Sequence, residues 1–268
     1  MEINETKVKN IIVKSNLPDT DYVINPYTGC MHNCIYCYAC LMRRFTGHQK
    51  KWGQFVDIKV NGPDLVFENT DRYQNKKILL SSVTDPYLPI EKEYKVTRRI
   101  LENLINLEPK LNIQTKSDLV LRDMDLLKQF KECEIGFTII TLDEKAKNEL
   151  EKNTVSIKRR IDALKILKEQ GFKTYVFIGP IFPYITDWQD IIEKTSEFTD
   201  FYMLENLKLR GSIYSEVDQW LNDQHPNLKS KYKDIFRNKN SNYWQNGKQK
   251  IENYLNQQNI EGKIYFEH

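Results

Sequence analysis

Repeated βα units around a parallel sheet are the fold class this sequence predicts, and three observations lead there. From Tyr22 to about Leu207, short β-branched or aromatic runs alternate with helical patterns. Each run gives way to a polar or Gly/Pro-containing turn, and no Pro/Ser-rich linker or internal repeat interrupts the series. With 268 residues, 40% of them apolar, the chain can bury one substantial core. The expected organisation is one α/β unit over residues 1–209 and a mainly helical extension over residues 210–268 packed on it.

Six strands are predicted, at residues 22–25, 77–83, 111–115, 135–141, 173–179 and 201–205, because each is a short apolar run bounded by turn residues. Functional side chains of such a sheet gather at the carboxyl ends of its strands. The clearest helix is predicted over residues 155–170. Ile157, Ile161, Leu164 and Leu167 fall on one face, and Gly171 is placed for a left-handed C-terminal cap. A second helix is predicted over residues 92–107, where Val96, Ile100 and Leu104 recur at four-residue spacing before Pro109. After Arg210 the tail is polar and dotted with Tyr214, Trp220, Tyr232, Tyr243, Trp244 and Tyr254, which reads as helical.

Forty basic and thirty-seven acidic residues leave a net charge of +3, too slight to announce a nucleic-acid partner, although a local basic face is compatible with it. The N-terminal MEINETKVKN lacks an apolar core, and no apolar run approaches the roughly 20 residues that span a bilayer. A cytoplasmic protein without a membrane partner is expected. In a reducing compartment, four cysteines between Cys30 and Cys40 point to metal or catalysis rather than disulfides.

Cys30, Cys34 and Cys37 form C-x3-C-x2-C directly after the first predicted strand. Three thiolates at this spacing can ligate three irons of a [4Fe–4S] cube and leave the fourth iron free of protein. A free iron can bind the amino and carboxylate groups of S-adenosylmethionine (SAM). Two other readings stay open from the residues alone. One is structural zinc, with Cys40 or His32 as fourth ligand, and the other is packing of small apolar side chains. Zinc sites usually join two short ligand loops from separated parts of a chain, whereas here every ligand lies in one loop.

The segment NPYTGCMHNCIYCYA, with aromatic Tyr36 before its third cysteine, resembles the radical SAM superfamily. The similarity is to the branch that includes spore photoproduct lyase, and it extends through FTGHQKKWGQFVDIKVN, SSVTDPYLPIE, TKSDLVLRDMDLL and FIGPIFP. The LENLKLRG that opens the tail and the terminal IYFEH are similar to one member of a mobile two-gene radical SAM pair. The resemblance implies a partial (β/α)6 TIM-like barrel with the cluster loop after its first strand.

It also implies a SAM site. Tyr36 would lie beside the adenine, with Thr84 and Asp85 after strand two, Lys116 after strand three and Thr138 in strand four around the methionine and ribose. Lys116 would offset the SAM carboxylate, and the threonine hydroxyls would bond its amine or carboxylate. On the residues alone, Asp85-Pro86 also suits a turn, Lys116 a solvated loop and Thr138 an ordinary strand position. Relatives carry a Glu-Pro and then an arginine in the fifth helical unit. Arg160 fits the arginine, but Glu151 is followed by Lys152 instead of proline and so stays outside the expected set. Cys40 is expected to be a small buried helical residue, and Cys133 a thiol preceding strand four.

The function implied is reductive cleavage of SAM to a 5′-deoxyadenosyl radical that abstracts hydrogen from a substrate. Reduced flavodoxin or ferredoxin would supply the electron, and a second radical SAM protein is a candidate partner. The alternatives are a DNA repair lyase of the spore-photoproduct type and a non-catalytic protein that binds zinc or an iron–sulfur cluster. The repair enzymes keep a cysteine at the end of strand two to return hydrogen to the product radical, whereas this chain has Ser82 there.

Overall fold

The computed structural model describes residues 1–66, 72–238 and 240–266. Glu267 and His268, the end of the IYFEH motif, lie outside these residues. In chain order the strands are β1 (Glu2–Thr6), β2 (Ile12–Lys14), β3 (Tyr22–Ile24), β4 (Tyr27–Gly29), β5 (Phe55–Lys59) and β6 (Lys77–Leu80). They continue with β7 (Lys110–Thr115), β8 (Glu132–Thr138), β9 (Lys173–Ile181), β10 (Phe201–Asn206) and β11 (Gly262–Tyr265). The helices begin with α1 (Glu91–Tyr94), α2 (Val96–Leu104), α3 (Met124–Leu127), α4 (Glu144–Leu150) and α5 (Ile157–Glu169). Then follow α6 (Trp188–Thr195), α7 (Ser212–Gln224), α8 (Lys229–Arg237) and α9 (Tyr243–Gln258).

The six predicted strands are β3, β6, β7, β8, β9 and β10, and they lie side by side in that order, every pair parallel. The sheet is open, with antiparallel β2 at one edge and β11 at the other. Helices pack on it through buried apolar positions such as Ile100, Leu104, Leu164 and Leu167. Close packing also demands glycine at Gly136, where an added Cβ would stand 2.1 Å from the ring of its neighbour Tyr175. No helix among the described residues is long and apolar enough to cross a membrane.

Several expectations need correction. The helix expected over residues 92–107 is two helices, because Lys95 turns left-handed at φ +51°. The buried Glu91 carboxylate then accepts the backbone N–H groups of Thr97 at 2.9 Å and Arg98 at 3.2 Å, which caps α2. The tail is not wholly helical, since β11 pairs parallel with β10, Tyr202 opposite Gly262. Strand β6 stops at Leu80, because Ser81 adopts φ +74° and turns the chain. Strand β8 starts earlier than expected, so Cys133 lies within it, opposite Leu111.

The second sheet, in the order β1-β5-β4, was not anticipated, and it supports the cysteine loop. Gly29 ends β4 at φ +87°, and a Cβ there would stand 2.3 Å from the Phe55 carbonyl oxygen of β5. Only glycine fits that backbone approach, which sets the level at which Cys30 leaves the sheet.

Candidate active site

Contacts from three directions shape the loop from Cys30 to Cys37. Thr84, just after β6, donates its hydroxyl to the Gly29 carbonyl at 2.6 Å. Asn153 donates its side-chain amide to the Met31 carbonyl at 2.9 Å and its backbone N–H to that of His32 at 3.2 Å. Ile35 N–H reaches the Leu150 carbonyl at 3.0 Å, and Cys34 forms an isolated antiparallel bridge with Glu151. Asn33 takes φ +52° to make the bend.

Cys30, Cys34 and Cys37 are free thiols. Burial pushes the Cys30 thiol up to about 12, and the charges of Cys37 and Asp85 push the same way. Burial likewise raises Cys34 and Cys37. Three apolar-packed thiols that resist ionisation individually suit a cationic iron–sulfur centre, which favours thiolate at all three. Among the described residues no three His, Cys, Asp or Glu side chains converge on one ion. The side chains considered as fourth zinc ligands face elsewhere. His32 Nδ1 is 3.5 Å from Asp85 Oδ2, and Cys40 Sγ is 3.4 Å from Ser212 Oγ. Cys40 is half-buried in the 3-10 helix Tyr38–Phe45, more open than expected.

Beside the loop lies a buried group of charges that the sequence reading divided. Tyr36 donates its hydroxyl to Glu151 in a short hydrogen bond. Arg160, 1% exposed, brings Nη2 within 2.6 Å of Glu151 Oε2. The two charges are in direct contact, although Glu151 Oε2 and Arg160 Nε have no aligned hydrogen-bond partner among the described residues. Arg160 also donates to the Thr138 carbonyl at 2.9 Å, the Thr154 hydroxyl at 2.5 Å and the Val155 carbonyl at 3.1 Å. The Lys116 ammonium lies over the Tyr36 ring, 5.8 Å from its centre. Burial pulls the ammonium down, but Cys34, Glu151 and Asp85 outweigh that and hold it above the ordinary lysine value. Burial works against the Glu151 carboxylate, while Arg160 and Lys116 hold it below the ordinary range.

Of the expected site residues, Tyr36, Lys116, Thr138 and Arg160 are therefore brought together around Glu151. Glu151 itself was set aside for want of a following proline, yet no proline is needed to seat it. Asp85 is committed to the backbone and to β7. Its carboxylate accepts Tyr87 N–H at 2.8 Å, the Thr115 hydroxyl at 2.7 Å and Lys116 N–H at 2.8 Å. Asp85 thus fixes where β7 releases Lys116.

An apolar wall closes the other side. Tyr36 packs edge-on against Phe182, ring centres 5.7 Å apart, and Phe182 against Trp220 of α7, again at 5.7 Å. Ile140, Leu150, Leu207, Ile213 and Val217 belong to the same cluster, so the tail after residue 210 shares its core with the cysteine loop.

A family model described as the radical SAM superfamily matches residues 24–195. An uncharacterized protein of Methanocaldococcus jannaschii is 44% identical over 226 residues, covering 84% of this chain and 85% of the relative. A Radical SAM Nalpha-GlyT isomerase of Pseudomonas phage M6 is 26% identical over 168 residues, 62% of this chain but 34% of that protein. Spore photoproduct lyase complexed with dinucleoside spore photoproduct superposes with a TM-score of 0.69 at 15% identity, over 99% of this chain and 82% of the lyase. That likeness shows a shared fold.

Proposed function

The chain belongs to the radical SAM superfamily, and from that premise we propose that Cys30, Cys34 and Cys37 hold a [4Fe–4S] cluster beside a SAM site for hydrogen abstraction from a substrate. When bound, cluster and SAM together supply a 5′-deoxyadenosyl radical through one-electron cleavage of a carbon–sulfur bond. Lys116 offers the positive charge that a methionine carboxylate requires. Tyr36 presents its ring face to an adenine while its hydroxyl stays on Glu151. Thr84 and Asp85 act by positioning, since their oxygens already hold the loop and the end of β7. Thr138 and Arg160 fix the floor below Glu151. Phe182, Trp220 and their neighbours exclude water from the radical.

The observation that carries this reading is the seating of three free thiols, Cys30 buried and Cys34 and Cys37 half-buried, on one loop beside a group of charges made by Glu151, Arg160 and Lys116. Protein reconstituted anaerobically and reduced with dithionite is expected to convert SAM slowly to 5′-deoxyadenosine, read by chromatography. Intact SAM with a fully loaded cluster would overturn the proposal.

Repair of spore photoproduct is the weaker reading, because Ser82 occupies the hydrogen-donor position. Its N–H is held by Asn25 Oδ1 at 3.0 Å and its carbonyl accepts the Tyr38 hydroxyl, so the serine is fixed at the mouth of the sheet. A serine O–H bond is much stronger than a thiol S–H bond and returns hydrogen to a carbon radical poorly. No repaired dinucleotide is expected where SAM cleavage is detectable, and repair coupled to SAM consumption would restore this reading.

A further inference from the structure

A cavity of about 460 Å³ lies between the start of α1, the loop after β7 and the turn that leads into α5. None of Tyr36, Lys116, Thr138, Glu151 or Arg160 lines it, so it is distinct from the charges beside the cysteine loop. Its volume falls in the range of small-molecule sites. Three cations, Lys92, Arg122 and Arg159, and a single carboxylate, Asp118, stand in the lining. The carboxylate is closed, because Arg159 grips it with Nε and Nη2, both at 2.7 Å. Arg159 Nη1 is left without a hydrogen-bond partner among the described residues. Arg122 is anchored on Asp123 at 2.7 Å and Glu91 at 2.8 Å. Lys92 is different, since its ammonium makes no hydrogen bond or ion pair among the described residues. Buried Ser117 accepts Leu119 N–H at 3.3 Å and keeps its own hydroxyl proton to donate.

We propose that this cavity binds a small phosphorylated molecule. Lys92, Ser117 and Arg159 come from three different elements, and each brings a donor that the protein itself does not use. A tetrahedral phosphate presents oxygens in enough directions to meet all three, whereas a planar carboxylate presents two. A cationic ligand finds no open charge, because Asp118 is already bidentate on Arg159. A nucleic-acid strand would require stacking rings along a track, and no aromatic side chain lines the cavity. Asn153 also lines it, and the same side chain holds the Met31 carbonyl at 2.9 Å. A bound phosphate therefore sits against the support of the cysteine loop without touching a thiol. The proposal is independent of the function set out above, since neither cluster nor SAM enters it.

Fructose 1,6-bisphosphate serves as the probe. It is titrated by calorimetry into the anaerobically reconstituted protein, with and without SAM in large excess, and into Lys92→Gln and Arg159→Gln. Both positions are exposed, and thermal melting checks that the variants fold. Lys92→Gln in particular removes no contact within the protein. Expected are one saturable site with the same affinity in the presence of SAM, and a wild-type melting temperature that rises with the bisphosphate. Affinity should weaken on the order of tenfold in Lys92→Gln, the loss of one charge-assisted contact. The loss in Arg159→Gln should be at least as large, because Asp118 is then released into the cavity. Absence of saturable binding, or unaltered affinity in both variants, would overturn the proposal. So would displacement of the bisphosphate by SAM, which would assign the cavity to the SAM site, or tighter binding of a single-stranded oligonucleotide in competition with it.

Discussion

Two fully buried glutamates, Glu91 and Glu151, each accept a tyrosine hydroxyl and each face an arginine, yet they do different work. Around Glu91 the carboxylate is saturated. It receives the Tyr27 hydroxyl, two backbone N–H groups of α2 and Arg122 Nη2 at 2.8 Å. Arg122 and Arg98 are in turn bound by Asp123, so charge and hydrogen bonding both close. Tyr87 Oη is buried near this network without a hydrogen-bond partner among the described residues, but a neutral hydroxyl costs less to strand than a charge. Around Glu151 the account stays open, with Oε2 and Arg160 Nε unaligned and, among the described residues, a Lys116 ammonium that makes no hydrogen bond or ion pair. A closed buried network serves architecture, and an open one at strand ends is ready for a ligand.

Isosteric substitution separates the two. Glu91→Gln removes half the cap of α2 while Arg122 keeps Asp123 at 2.7 Å and 2.8 Å and the Glu91 backbone carbonyl at 2.9 Å, so a loss of about 1–3 kcal/mol in stability is expected, visible as a lower melting temperature. SAM cleavage per folded molecule should persist. Glu151→Gln is expected to cost more, about 3–5 kcal/mol, because Arg160, 1% exposed, loses its carboxylate and keeps only three neutral oxygen partners among the described residues. In that variant SAM cleavage should fall well below the level of the Glu91 variant at equal folded fraction. The reverse ranking in the two assays would break the comparison.

Lys116→Ala sharpens it further. Because the ammonium holds no hydrogen bond in the protein, melting should move least of the three. SAM affinity should drop roughly tenfold or more, the loss of a charge-assisted contact worth about 1.5–3 kcal/mol. Equilibrium dialysis with SAM reads this directly, and unchanged affinity would remove Lys116 from the site.

What could be read from sequence follows the same divide between closed local patterns and long-range closure. The six central strands were legible because a parallel sheet covered on both faces writes continuous apolar runs such as Ile78–Leu79–Leu80. β11 was not, because the four residues GKIY sit at an edge with no fully buried side chain and so leave no such run. The break at Lys95 was invisible because the apolar spacing of Val96, Ile100 and Leu104 continues across the helix that Glu91 caps. At the site, the cysteine spacing was legible because its three thiols lie within eight residues. The seat of Glu151 was not, since it is made by Cys34 and Tyr36 more than a hundred residues earlier. Asp85 stands where the sequence placed it, after β6, but its three hydrogen bonds to Tyr87, Thr115 and Lys116 depend on the folded chain and could not be read from it.

The central claim is that three thiols, and not a fourth, carry the chemistry. Iron and sulfide analysis of anaerobically reconstituted alanine variants tests it most directly. Cys30→Ala, Cys34→Ala and Cys37→Ala should each lose the cluster, whereas Cys40→Ala should keep wild-type iron, sulfide and the brown chromophore. Loss of the cluster from Cys40→Ala as complete as from Cys34→Ala, or zinc alone in the wild-type protein, would contradict the account.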